Sequence, residues 1–243
     1  MIEDEDIFSI MSKCFAPIDE REWQALTKST TWSGFLDGAR RAMQDEKLLG
    51  CAHGTIQRVG RRCPLQDFLS AGEVKALYAP PTFAEKERFA ARHFTGGLPE
   101  SAVPVESLYV RWSHDEAART PFSRTTGLYQ GDSALYMGDL IGRLGLELPK
   151  RFSACPDHLA LELDLVAVLL RSGMRDEARQ YLSERFEWLT AYRIRLLSLE
   201  DDTSFYVGLV DVLLGIRAQQ GAVSPIPNHM QGIEGKQLCQ KTQ

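Results

Sequence analysis

The stretch "ACPDHLALELDL", residues 154–165, sets Asp157, His158, Glu162 and Asp164 in and around a run of leucines. Three kinds of chemistry could use such groups. A metal would find His158 and Glu162 four residues apart on one helical face, with Cys155 three residues before the histidine. His53, His93, His114 and His229 show no helical pairing with them, so no ligand set is complete. A nucleophile and base could be Cys155 and His158, yet no oxyanion-hole loop or G-x-S-x-G elbow accompanies them. No catalytic residue and no metal ligand is therefore assigned. What remains is ion pairing: Asp157 capping a helix, His158 pairing with Glu162, and Asp164 meeting an arginine from a neighbouring helix.

The element that must position these groups is a helix. Pro156 suits a first turn, Asp157 faces the positive end of the helix dipole, and the pattern runs to Arg171, with Gly173 ending it. At 3.6 residues per turn Leu159, Leu163, Val166 and Leu170 form one apolar stripe, while Leu161, Leu165, Val168 and Leu169 lie across from it. A helix that is apolar on two sides belongs in the middle of the molecule. Its polar groups are then not ordinary surface residues.

Helical periodicity continues along the chain, and no segment alternates as a strand does. Helices are expected over Ser33 to Leu49, stopped by Gly50, over Pro64 to Tyr78, and over Thr82 to Phe94 with Thr82 as N-cap. "TGGLPESAVP" is the strongest loop signal and joins an N-terminal lobe, about 1–95, to a C-terminal lobe, about 100–221. "VESLYVRW" opens a short helix, and the polar run from Ser113 to Thr126 reads as a loop. From Ser133 another helix follows, in which Gly138, Gly142 and Gly145 predict close approach by a second helix, with Gly145 as C-cap. Residues 222–243 read as a mobile tail.

Composition limits the function. With 44% hydrophobic and 25% charged residues, the 243-residue chain falls in the ordinary globular class and can bury a sizeable core. A net charge of -5 argues against nucleic acid and leaves room for a basic peptide. Five cysteines with no C-x-x-C pair suggest a reducing compartment. The acidic start "MIEDEDIFSI" is unlike a secretory signal, and no window has the ~18 apolar residues of a membrane span, so a cytoplasmic protein is expected. No P-loop of the G-x-x-x-x-G-K-[ST] type occurs.

"PDHLALELDL" resembles the signature of the TorD/DmsD/NarJ family, cytoplasmic chaperones of molybdenum-containing redox enzymes. "VPVESLYVRW" is similar to the family's V-P-x-x-E-S-[LV]-Y stretch, and "GDSALYMGDLIGRLGLELP" to the helix that precedes Pro-Asp-His. "YLSERFEWLTAYRIRLLSLEDDTSFYVGLVDVLL" is similar to its last two helices. The likeness runs over roughly residues 86–216, with the elements in the same order.

The resemblance implies an all-α fold, a compact multi-helix TorD-like domain over residues 1–221 with two lobes joined by a Gly/Pro loop. It implies a non-enzymatic chaperone that binds the twin-arginine signal peptide and the apo form of a molybdenum oxidoreductase and supports cofactor loading before export. Molybdopterin or GTP would bind only transiently, if at all, and the chain would be a monomer or a domain-swapped dimer hinged at 95–99. No nucleic acid and no bound cofactor of its own are expected. The second reading is a helical protein that binds nucleotide or pterin, with weak phosphohydrolase activity.

The family's peptide-binding Asp-His pair carries onto Asp157 and His158, with Pro156 before them and Glu162 behind. Its E-S-x-Y element carries onto Glu106, Ser107 and Tyr109. Trp112, at the end of that element, could stack on a client arginine or simply pack. The family's aromatic-x-x-Leu-Phe element falls at Ala90 to Phe94, where only Phe94 matches, and Cys155 stands where the family often has glutamate.

Overall fold

The computed structural model describes residues 3–44, 65, 69–96, 98, 100–117 and 119–221. The expected end of a helix at Gly50, its successor's start at Pro64, Gly97 and the tail 222–243 lie outside these residues. The described part is all-helical. Ten α-helices are named α1 (Asp4–Phe15), α2 (Glu20–Leu26), α3 (Ser29–Gln44), α4 (Ala71–Tyr78), α5 (Phe83–His93), α6 (Asp132–Arg143), α7 (Leu159–Arg171), α8 (Arg175–Arg185), α9 (Leu189–Leu197) and α10 (Ser204–Gly221).

Helix starts are written locally. Ser70 and Thr82 each accept from the backbone N–H three residues on, and Glu73 and Glu85 reach back in return, so α4 and α5 both open on capping boxes. The helix expected from Pro64 thus has its cap at Ser70. Between α5 and α6 the "ESL" of "VESLYVRW" is a single 3-10 turn, Glu106–Leu108.

The core is organised around α7. Leu159, Leu163, Val166 and Leu170 are buried, as are Leu161, Leu165 and Leu169 on the other side, so the two-sided pattern does make this a central helix. Its most extensive neighbour is α1. That helix buries Ile7, Phe8, Met11, Cys14 and Phe15, and its Ser12 Oγ donates to the Ala160 carbonyl at 2.8 Å. Helix α10 packs on α3, α4, α8 and α9. Two indole N–H groups tie the first helices to the α4–α5 region, Trp23 to the Pro81 carbonyl at 2.9 Å and Trp32 to the Leu77 carbonyl at 2.6 Å.

The glycine expectation is corrected. A Cβ on Gly138, Gly142 or Gly145 would meet nothing within 4 Å, so no helix approaches α6 there; Gly145 does end the helix, at φ 68°. Close approach is found on α10 instead. A Cβ on Gly208 would lie 3.1 Å from Leu77, and one on Gly215 2.9 Å from Met43. These two glycines let α4 and α3 sit against the α10 backbone.

Candidate functional site

The E-S-L-Y and Pro-Asp-His segments, fifty residues apart in the chain, form one hydrogen-bonded unit. Val105 and His158 make an antiparallel bridge, flanked by Glu106 N–H to the Asp157 carbonyl at 3.0 Å and Leu159 N–H to the Pro104 carbonyl at 2.9 Å. One oxygen of the buried Asp157 carboxylate, Oδ2, accepts from the Ser107 backbone N–H at 2.8 Å and from its hydroxyl at 2.6 Å. Asp157 therefore caps the Glu106–Leu108 turn and not α7, which corrects the expectation that it would serve its own helix. Pro156 is buried in the turn that leads into it.

His158 takes the cap of α7. Its Nδ1 accepts from the Ala160 backbone N–H at 3.1 Å, so α7 opens at Leu159 instead of Pro156. The ring packs on Phe152, with centroids 4.8 Å apart. Burial, with a smaller push from the Arg151 charge, lowers its pKa to about 3 and keeps it neutral. A neutral imidazole can leave Nδ1 unprotonated, as an N-cap acceptor must be.

The expected His158–Glu162 pair does not form. Glu162 lies fully buried against Glu106, which in turn accepts from Arg185 Nη2 at 2.6 Å. Burial first, and then the Glu106 charge, raise the Glu162 carboxyl well above its ordinary value. Glu106 is raised as well, by burial and against the pull of Arg185. Two carboxyls can share a hydrogen bond only if one keeps its proton. Burial and the mutual repulsion of the two carboxyls favour one proton held between them, with Arg185 paired to Glu106. Neither Glu162 oxygen receives a donor among the described residues, as expected of a carboxylic acid whose neighbour is a second acid. Asp164 stands apart on the exposed side of α7, in the field of Arg171, Lys13 and Arg151.

Around this buried floor stands an aromatic rim. Tyr109 is half-buried, its hydroxyl donating to the Val103 carbonyl at 3.0 Å and its ring stacked on Trp188 at 5.5 Å. Trp112 packs edge-on to Phe122 and its indole N–H donates to the Tyr129 carbonyl at 3.2 Å. The loop that carries Tyr129 is pinned by Asp132, which accepts from the Ser113 hydroxyl at 2.8 Å and the His114 N–H at 2.7 Å. Leu128, Tyr129, Leu135 and Tyr136 are exposed. The Arg185 guanidinium, besides holding Glu106, lies over the Tyr136 ring at 4.7 Å and so links rim to floor. Phe94 does not join them: its ring packs with Phe15, Phe89 and Tyr206.

Sequence reasoning missed Arg185 and Tyr129. Arg185 sits among the charges of "YLSERFEW", where it looks like one more solvated residue. Tyr129 lies in a loop with no periodicity to mark it. The sequence signal that points to Arg185 is the excess of acids over nearby cations around α7, which calls for a cation from another helix.

Residues 66–198, more than half of the chain, match the family model for the nitrate reductase delta subunit. No curated protein matches the chain. Proteins of that family are molybdoenzyme maturation chaperones, and the all-helical fold agrees with the match. The chain belongs to the nitrate reductase delta subunit family, which falls within the TorD/DmsD/NarJ group that the motifs resemble. Members of this family assist maturation of a molybdoenzyme precursor and are not enzymes themselves. No helix among the described residues is long and apolar enough to cross a membrane.

Proposed function

We propose that the protein is a cytoplasmic chaperone that binds the twin-arginine signal peptide of a molybdenum oxidoreductase and holds it while cofactor is loaded. The observation that carries this reading is the union of the E-S-L-Y turn and the Pro-Asp-His turn above a carboxyl-rich floor. With one proton held between Glu106 and Glu162, the three carboxyls Glu106, Asp157 and Glu162 still exceed the charge of Arg185 by one, so the floor offers an electronegative field to a cationic segment. Exposed Leu128, Tyr129, Leu135 and Tyr136 beside it offer apolar area for the h-region that follows a twin-arginine pair. Asp157, Ser107 and Glu162 act from beneath, by fixing the turn, while Trp112, Tyr129 and Tyr136 make the contact.

The test is calorimetry of the purified chain against synthetic twin-arginine leaders from the molybdoenzymes of the source organism, with client maturation followed in cells. Tyr129→Ala and Trp112→Ala should weaken a leader by about tenfold, the scale of one good aromatic contact. Replacing both leader arginines by lysine should weaken it further, since the flat guanidinium is what suits carboxylates. If no leader binds, or if binding ignores both rim variants, the reading fails.

A further inference from the structure

Arg185 is the outermost charge of the motif unit and covers the acids beneath it. Along one line of contacts Tyr136 is exposed, the Arg185 side chain that lies over its ring is 19% exposed, and Glu106 and Glu162 below are buried. A group arriving from solvent therefore meets Glu106 only by taking the place of that guanidinium.

Its hold on the acids is incomplete. A guanidinium can offer a carboxylate two parallel N–H donors. Arg185 offers one, Nη2 to a single Glu106 oxygen at 2.6 Å, while its Nε is buried and has no acceptor among the described residues. It makes no ion pair with Glu162 or Asp157 there. Across the contact, Asp157 Oδ1 is buried and receives no donor, and Glu162 has only the proton it shares with Glu106. Donors and acceptors are thus left over on both sides, and this arginine suits the floor less well than a guanidinium free to choose its angle of approach.

The free chain needs a cation at this place, because buried carboxyls without one are costly. A client that brings its own guanidinium needs the same place vacated. An internal arginine at the end of α8, tied by one bond and lying on an exposed ring, meets both needs. It also sets a threshold. An incoming side chain must make good the Glu106 pair that it breaks, which a planar fork of donors does and an ammonium or an amide does less well.

We propose that the floor beneath Arg185 is a guanidinium site, which Arg185 fills in the free chain and yields to one arginine of the bound leader. The first half rests on this chain alone, and the second rests on the leader-binding reading above. Arg185 then sets specificity by competing with the ligand. Its removal should tighten binding, where the loss of an ordinary contact would weaken it.

Each half has its own test on the full chain. Thermal melts of Arg185→Ala in millimolar ethylguanidinium read the site itself: Tm should rise saturably by about 2–4 °C, while ethylammonium on the variant, and either compound on the wild type, should leave it unmoved. Calorimetry should find a twin-arginine leader bound at least about tenfold tighter by the variant than by the wild type, and a leader with both arginines replaced by glutamine bound no tighter. If Arg185→Ala does not fold, as far-UV circular dichroism will report, Arg185→Gln takes its place. In the wild type, with isotope-labelled arginine in the chain and not in the leader, the buried Arg185 Nε–H should exchange with water at least about tenfold faster once the leader saturates, and this measurement decides if neither variant folds. The proposal is overturned if ethylguanidinium does no more than ethylammonium, if the folded variant binds the leader no tighter, or if Arg185 exchange ignores the leader. A leader that binds neither form overturns the leader-binding reading together with the second half of this one, whereas a leader that binds the wild type and leaves Arg185 in place overturns only this one.

Discussion

Ser107 gives both its backbone N–H and its hydroxyl to one carboxylate oxygen of Asp157, at 2.8 and 2.6 Å, in a place where both residues are sealed from solvent. Fifty residues of chain, including all of α6, are closed into a loop by this contact. The two family motifs are thus halves of one latch.

Breaking the latch should cost more than a surface change. Asp157→Ala leaves the Ser107 donors unpaired in the interior and should destabilise the chain by about 2–4 kcal/mol, and Ser107→Ala by about 1–2 kcal/mol. In a urea-unfolding double-mutant cycle the two should couple, the pair of changes costing less than their separate sum. Simple additivity would mean that the contact is incidental.

Glu162 should make stability fall with rising pH. Its folded pKa is raised well above 4.5, so between 4.5 and that higher value the folded chain holds a proton that the unfolded chain has lost. The stabilisation is complete below about 4.5 and disappears as the pH passes through the folded pKa, with a slope of up to about 1.4 kcal/mol per pH unit for one proton. Glu162→Gln keeps a donor in place of the acid and should flatten this slope in urea titrations between pH 5 and 8. An unchanged slope would show that Glu162 does not carry the proton.

His158 acts in the opposite sense. The folded chain keeps it neutral down to about pH 3, whereas the unfolded chain protonates it near 6.5, so stability should decline as the pH falls across that window. His158→Asn supplies a non-titrating N-cap and should remove this acid limb, while His158→Ala should also lose the cap, at about 1 kcal/mol. Unfolding curves at pH 4 and pH 7 separate the two effects, and an acid limb that survives in His158→Asn would assign it to other groups.

The glycines of α6 and α10 should respond to alanine with opposite signs. Gly138→Ala and Gly142→Ala meet open space and should stabilise by about 0.5–1 kcal/mol each. Gly215→Ala, pressed against Met43, should cost about 1–3 kcal/mol, with Gly208→Ala against Leu77 close behind. Thermal melts of the four variants read the contrast directly. Equal shifts in all four would contradict the packing.

Much of the architecture was legible because it is local. The N-cap at Thr82, the two-sided leucine pattern of α7 and the helix end at Gly145 all depend on residues within one or two turns of each other. The order of the family motifs is likewise a property of the chain. Partner choice was not legible. Asp157 belongs to Ser107 and not to its own helix, Glu162 to Glu106 and not to His158, and the neutralising Arg185 arrives from α8. Periodicity places a carboxylate on a face, but the group it meets is fixed by which helices pack against that face, and those helices come from anywhere in the sequence. The glycines teach the same lesson, since a missing Cβ permits close approach and only the tertiary structure brings a neighbour to use it, on α10 and not on α6.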